Sequence, residues 1–344
     1  MADRTASQPR GRGLSRIENM DPLEAVGFVS RGDTKLLDPD AQEAYYKHVV
    51  HRYMRFCSVN SKDLDSAFQS LPKNRSDDPT KNPPVAMLPP QQPKRSTSKP
   101  HLHHHHHLHT PKFDSLKPHG TKSTADIQYS ASKELSVLLL SLRKLREAIL
   151  ASGPKTSVVF ARRVNNFCIR TGLLARHPPS YYPPLERLIR QIESKPNLLE
   201  DSETKEFVTY MILDYACRQD DLQAAYALRA RSREAFGFQD SIVDNILVAL
   251  THGNWILFWR TRNQADGYSK ALIYWAVDGV RRRALKAVGR SYLQVPVEYI
   301  VETCAGEKGS WEELAEKEQL GWRREGDKIL IKVKRKPGVA LPIS

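Results

Sequence analysis

The stretch VRRRALKAVGRSYLQVPVEYIV, residues 280–301, sets five basic residues into an apolar stripe and then runs into Val-Pro-Val. The spacing of Ala284, Leu285 and Val288 predicts one inward helical face, with Arg281, Arg282, Arg283, Lys286 and Arg290 forming a basic ridge outside it. Pro296 forbids a simple continuation of the helix, because proline lacks the amide donor that a helix interior needs. The stretch therefore joins two kinds of structure, and the residues on either side say which.

Downstream, "SYLQVPVEYIVETCAG" reads as a short extended piece followed by a second helix. "SWEELAEKEQL" reads as a third, with Ser310 and Glu313 spaced as a capping box. In "GWRREGDKILIKVK", Ile329, Ile331 and Val333 alternate with Lys328, Leu330, Lys332 and Lys334 after a Glu-Gly-Asp turn, the pattern of a hairpin with one buried face. Three helices closed by a two-stranded hairpin make a winged helix over residues 289–336. Its expected joint and core are Leu285, Tyr292, Val297, Ile300, Leu314, Trp322, Ile329 and Ile331.

Upstream, residues 128–288 read as paired helices. Leu135, Leu138, Leu139, Leu142, Leu145 and Ile149 follow the i, i+3, i+4, i+7 rule. A helix over Ser157–Leu174 follows, then "RHPPSYYPP" is expected to interrupt, with Pro183 or Pro184 opening the next helix. Asp220 or Asp221, and Asp240 or Ser241, are candidate caps for two later helices. A long helix runs from about Tyr268 to Val288. Helical pairs joined by short turns describe an α-solenoid, without a strict sequence period. Trp255, Phe258, Trp259 and Trp275 sit at helical spacing and read as core rather than as platforms for stacking bases.

The N-terminal third differs in composition. Residues 1–38 read as a disordered basic arm. Residues 39–58 form an amphipathic helix carrying Tyr45, Val49, Tyr53 and Phe56, with Asp40 as its candidate cap and docking on the chain's own domain as its expected role. Residues 59–127 are rich in Pro, Ser, Lys, Asn and His and read as a disordered linker, and 337–344 as a tail. The run HLHHHHHLHT, residues 101–110, could chelate a transition metal, but reads as low-complexity sequence without a site.

The chain of 344 residues carries a formal charge of +14, which favours an acidic partner, nucleic acid or protein. It has no apolar run of the roughly 18 residues that a membrane span needs, and no secretory core at its start, so a soluble protein of nucleus or cytoplasm is expected. Cys57, Cys168, Cys217 and Cys304 are too dispersed for a metal or disulfide framework and read as small core residues. No phosphate loop, dinucleotide fingerprint, nucleophile elbow or metal-ligand motif occurs, so no enzyme, no cofactor and no small-molecule substrate are expected. Asp214 and Asp278 read as helix-surface or capping carboxylates.

Helical pairs running into a winged helix resemble the PCI family, named for proteasome lid, signalosome and initiation factor. "TKEFVTYMILDYACRQDDLQAAYAL" and "VALTHGNWILFWRTRNQA" are similar to that family's central helices, and residues 280–306 to its joint, where the wing begins after a Ser-Tyr pair. The likeness covers about residues 130–335. It is nearest the Sac-three/GANP/Thp-three branch, with the short subunits of the lid, the signalosome and initiation factor three next. The resemblance implies a non-enzymatic scaffold that pairs through its winged helix with another PCI protein, in messenger RNA export or transcription-coupled processing. It also implies a small acidic peptide seated on the joint, and RNA or DNA backbone held across paired winged helices. The ridge would then act with Arg323, Arg324, Lys328, Lys332, Lys334, Arg335 and Lys336 on phosphate. The helix carrying Glu312, Glu313, Glu316 and Glu318 is too acidic to read bases.

Overall fold

A computed structural model describes residues 21–71, 124–194, 201–306 and 309–332. Residues 1–20, the His-rich run, Val333, Lys334, Arg335, Lys336 and the tail lie outside the described residues. The described chain is mostly helical and ends in a small sheet. In order come α1 (Pro39–Val59), α2 (Leu64–Phe68), α3 (Thr124–Ser152), α4 (Val158–Leu174), α5 (Pro178–Ser194) and α6 (Asp201–Leu213), which continues through a π-helical turn at Asp214–Arg218. Then follow α7 (Leu222–Phe236), α8 (Ser241–His252), α9 (Trp255–Gln264) and the long α10 (Gly267–Ser291). Strand β1 (Gln294–Pro296), a π-helical turn at Tyr299–Cys304, α11 (Trp311–Lys317), β2 (Arg323–Glu325) and β3 (Lys328–Leu330) complete it.

Three apolar cores follow one another along the chain. The first joins α1, α2 and the turns before them to α3 and the start of α4, through Leu23, Leu36, Val49, Phe56, Phe68, Leu135, Leu138 and Leu145. The second runs from the end of α4 to the first half of α10. The third takes the second half of α10 and packs it on β1, the π-turn, α11 and β3. Consecutive helices pack on each other through most of the array, and α10 also reaches back to α4 and α6.

The ends of the helices are where the chemistry of short polar residues predicts them. Asp221 accepts from the Ala224 amide and Asp240 from Ile242 and Val243, so the first is the cap rather than Asp220 and the second rather than Ser241. Asp38, not Asp40, caps α1. Gly237 and Gly253 stop α7 and α8 in the left-handed conformation, at φ 68° and 65°, which a Cβ would strain.

Four expectations are corrected. Residues 21–38 are folded: the Leu23 carbonyl accepts from Tyr45 Oη and Lys144 Nζ, and the Leu36 carbonyl from Gln42 Nε2. Two leucines in a polar segment suffice to anchor it, since both are buried against α1 and α3. The linker begins later than Asn60, because α2 buries Ala67 and Phe68. The prolines do not break the chain at 183: α5 starts at Pro178 and contains Pro183 and Pro184. Proline at 184 removes the donor that would meet the Ser180 carbonyl, and Arg146 Nη1 takes its place at 2.7 Å. The two-stranded hairpin is three-stranded. β3 is central, pairing antiparallel with β2 and with β1 in the register Val295 to Ile329, and Pro296 is tolerated because β1 is an edge.

Candidate functional site

The joint between α10 and the sheet is built on a side chain that composition alone mislabels. Arg281 is fully buried, and so it is no part of a ridge. Its position answers to the rule applied above: Arg281, Ala284, Leu285 and Val288 stand at i, i+3, i+4 and i+7, which puts the arginine on the apolar stripe itself. Arg281 Nη1 donates to Asp278 Oδ1 at 2.7 Å and to Glu318 Oε1 at 3.5 Å, and Nε to the Ala305 carbonyl at 3.3 Å. One guanidinium thus ties α10 to the end of the π-turn and to the end of α11. Buried charge is tolerable only with such partners.

A second tie uses Gly289. A methyl group there would lie 2.9 Å from Trp322 Cζ2, so glycine is what lets the indole rest on α10. Trp322 stacks on Trp311 with ring centroids 6.3 Å apart and planes at 9°. Leu285, Ile300, Leu314 and Ile329 are buried in the same core, and Val297, Trp322 and Ile331 are packed against it. Tyr292 is the exception among the expected core residues. It is 48% exposed, because α10 ends there in an extended conformation that turns the ring outward, and Trp322 seals the joint instead.

The second half of α10 leaves Arg282, Arg283, Lys286 and Arg290 exposed on one basic face, bordered by Tyr292 and Leu293 and, one turn before Arg282, by the exposed Asp278 that pairs with Arg281. Arg282 Nε donates to the Asp278 carbonyl at 3.3 Å and, among the described residues, has no carboxylate partner. Among the described residues, Arg283, Lys286 and Arg290 have no carboxylate partner. Lys332 closes the gap to the sheet, its Nζ donating to the Arg290 carbonyl at 2.8 Å.

The hairpin charges are less available. Arg324 Nη1 is bound to Glu312 Oε1 at 2.7 Å and Arg323 lies 3.8 Å from Glu325, while Lys328 is exposed. Glu312 is held below the ordinary carboxylate range first by its own amide at the start of α11 and then by Arg324. Two of the four acids that make α11 hostile to phosphate, Glu312 and Glu318, are therefore engaged by the chain's own arginines. Ser310 caps α11 by accepting from the Glu313 amide.

Phe258 and Trp259 are buried, and Trp259 Nε1 donates to the Cys304 carbonyl at 3.1 Å. They support the joint from below and offer no face to a base. Burial pushes the Cys168 thiol up to about 12 and the Cys304 thiol to about 11, which leaves both unreactive.

Asp214 corrects another expectation. It is neither a cap nor solvated: its carboxylate is fully buried in the π-turn and accepts from Tyr181 Oη, Arg218 Nε and Nη2 and Gln219 Nε2 at 2.7 to 2.8 Å. All its lone pairs are used within the chain, so the group is structural.

Among the described residues, no helix is long and apolar enough to cross a membrane, and no group of three or more His, Cys, Asp and Glu is placed to hold a metal ion. No family model matches the chain, and no curated protein matches it either.

Proposed function

We propose that the chain is a non-enzymatic scaffold subunit of PCI type, in which the block formed by α10, α11 and the sheet acts as a winged helix. It pairs with a second PCI protein and holds RNA or DNA backbone without reading sequence. The observation that supports this reading is the division of labour within one helix. Arg281 turns inward and locks the block, while Arg282, Arg283, Lys286 and Arg290 turn outward, none of them with a carboxylate partner among the described residues. A scaffold that needed only to fold would not require this unpaired basic face. Phosphate is its natural complement, since each guanidinium fork can hold two oxygens.

The test is binding of labelled single-stranded RNA as salt is raised. The wild type binds poly(U) and poly(A) alike and loses affinity steeply between 50 and 200 mM salt, as counterion release requires. The variant Arg283→Glu, Lys286→Glu, Arg290→Glu loses binding. Equal binding by that variant overturns the nucleic-acid half of the proposal.

A second reading is a small subunit of a proteasome-lid, signalosome or initiation-factor-three type assembly. The Arg324 to Glu312 and Arg323 to Glu325 pairs favour it, because a hairpin whose arginines are spent internally offers less to phosphate.

A further inference from the structure

Gly279 sits in the interior of α10 with nothing in the chain to require it. Gly289 and Gly172 are demanded by their neighbours, since a methyl group would lie 2.9 Å from Trp322 Cζ2 in the first and from the Tyr181 amide nitrogen in the second. At Gly279, apart from the helix backbone and the adjoining residues, the one atom within 4 Å of such a methyl among the described residues is Arg283 Nη1, at 3.6 Å, an ordinary contact. Glycine in a helix interior is destabilising relative to alanine and leaves the backbone uncovered. Here it opens a notch between Trp275, four residues before it, and Arg283, four residues after.

Trp275 is the second observation. The spacing that puts Phe258 and Trp259 in the core does not put Trp275 there: it is half-buried and is not among the side chains that pack on the three cores. Among the described residues its ring has no aromatic partner and its Nε1 no acceptor. Trp275, Gly279, Arg282, Lys286 and Arg290 stand at i, i+4, i+7, i+11 and i+15, so the indole, the notch and the basic face form one stripe. Asp278, which borders the stripe, is paired with Arg281. From Trp275 to Arg290 the stripe is about 22 Å long, the length of about six stacked nucleotides. Just beyond it the exposed Tyr292 is held in place, its amide donating to the Val288 carbonyl at 3.0 Å and the Ile331 amide to the Leu293 carbonyl at 2.8 Å.

This order of groups selects the occupant. A duplex uses only the cations, because its bases are already stacked on one another, whereas a single strand also offers free base faces to aromatic rings. An acidic peptide uses the cations but has no base to lay on the indole.

We infer that the stripe is a single-strand site: one base stacks on Trp275 over the notch at Gly279, phosphates lie on Arg283, Lys286 and Arg290, and a second base stacks on Tyr292. The inference rests on the reading of this face as a phosphate binder and narrows it to single-stranded nucleic acid.

Fluorescence anisotropy on the full chain at low salt tests it with labelled decauridylate, a blunt GC-rich RNA duplex of the same length, and polyglutamate. Decauridylate is expected to bind at least about tenfold more tightly than the duplex. Trp275→Leu and Tyr292→Leu are each expected to weaken it about tenfold, the scale of one stacked base. Trp275→Phe should keep most of the affinity, and Tyr129→Leu, at an exposed tyrosine near the start of α3, should change nothing. Gly279→Gln separates site from fold: it fills the notch and weakens decauridylate about tenfold, yet melts no lower than the wild type, because glutamine is the better helix former. Equal binding of single strand and duplex overturns the inference, as does undiminished binding by Trp275→Leu or Gly279→Gln. If either occurs while Arg283→Glu, Lys286→Glu, Arg290→Glu abolishes binding, the reading of the basic face stands and the single-strand inference alone fails. If no probe binds the wild type, both fail. A Gly279→Gln chain that melts below the wild type would show that the fold itself needs the notch and also overturns the inference. So does polyglutamate bound as tightly as decauridylate and equally sensitive to Trp275→Leu, which would make the occupant an acidic peptide.

Discussion

Arg281 and Arg282 are neighbours in sequence and opposites in energetics. Removing the buried guanidinium leaves Glu318 without its cation and the Ala305 carbonyl without its donor, whereas Arg282 is exposed and makes one weak backbone bond. Arg281→Ala is expected to cost about 3 kcal/mol in urea unfolding, the scale of breaking a buried pair from one side. Arg282→Ala should stay within about 0.5 kcal/mol. Comparable losses in the two would mean that burial does not separate lock from ridge. The distinction was available in the sequence, since Arg281 shares the spacing of Ala284, Leu285 and Val288, but a run of three arginines reads as surface when charge is weighed before period. Tyr292 misleads for the converse reason: an aromatic near a joint reads as its seal, and nothing local reveals that Trp322 occupies that place across Gly289.

Among the elements, helices with a clear apolar period were legible to within a few residues, as α4, expected over Ser157–Leu174 and found at Val158–Leu174, and α10, expected over Tyr268–Val288 and found at Gly267–Ser291, illustrate. The failures lie where a distant partner overrides a local rule. Pro183 and Pro184 read as a break because the compensating donor, Arg146, belongs to α3. Arg146→Leu should therefore destabilise the chain by about 1–3 kcal/mol, the cost of stranding the Ser180 carbonyl, as read from thermal or urea melts. An unchanged melt would mean that the carbonyl finds another donor. Strand β1 escaped for a related reason. The residues around Pro296 read as a short extended piece, and they become a strand only when β3 offers its second edge.

Across the whole molecule, three cores in series make stability depend on many buried phenols and thiols. Burial raises the tyrosines Tyr45, Tyr46, Tyr181 and Tyr210 above their ordinary 10.0, and raises Cys168 and Cys217 above 9.0. Each folded-state value exceeds the unfolded one, so the unfolded chain releases protons first as pH rises. The contribution is fully present below about pH 9 and is lost progressively above it, by up to about 1.4 kcal/mol per pH unit for each group caught between its two values. Urea midpoints should hold level from pH 7 to 9 and fall between pH 9 and 11. A flat profile to pH 11 would contradict the burial of these groups.

The same scale decides the central claim, that the inward lock and outward basic face of α10 make one interface for a partner protein and nucleic acid. The most direct measurement is low-salt affinity purification from the native cells, comparing wild type with the triple variant Arg283→Glu, Lys286→Glu, Arg290→Glu, each with and without nuclease. The account predicts that the wild type brings down a PCI-family partner together with RNA-processing factors that nuclease removes, and that the variant loses the nuclease-sensitive set. An identical, nuclease-indifferent set of proteins from both would contradict it and leave the exposed arginines of α10 facing only water.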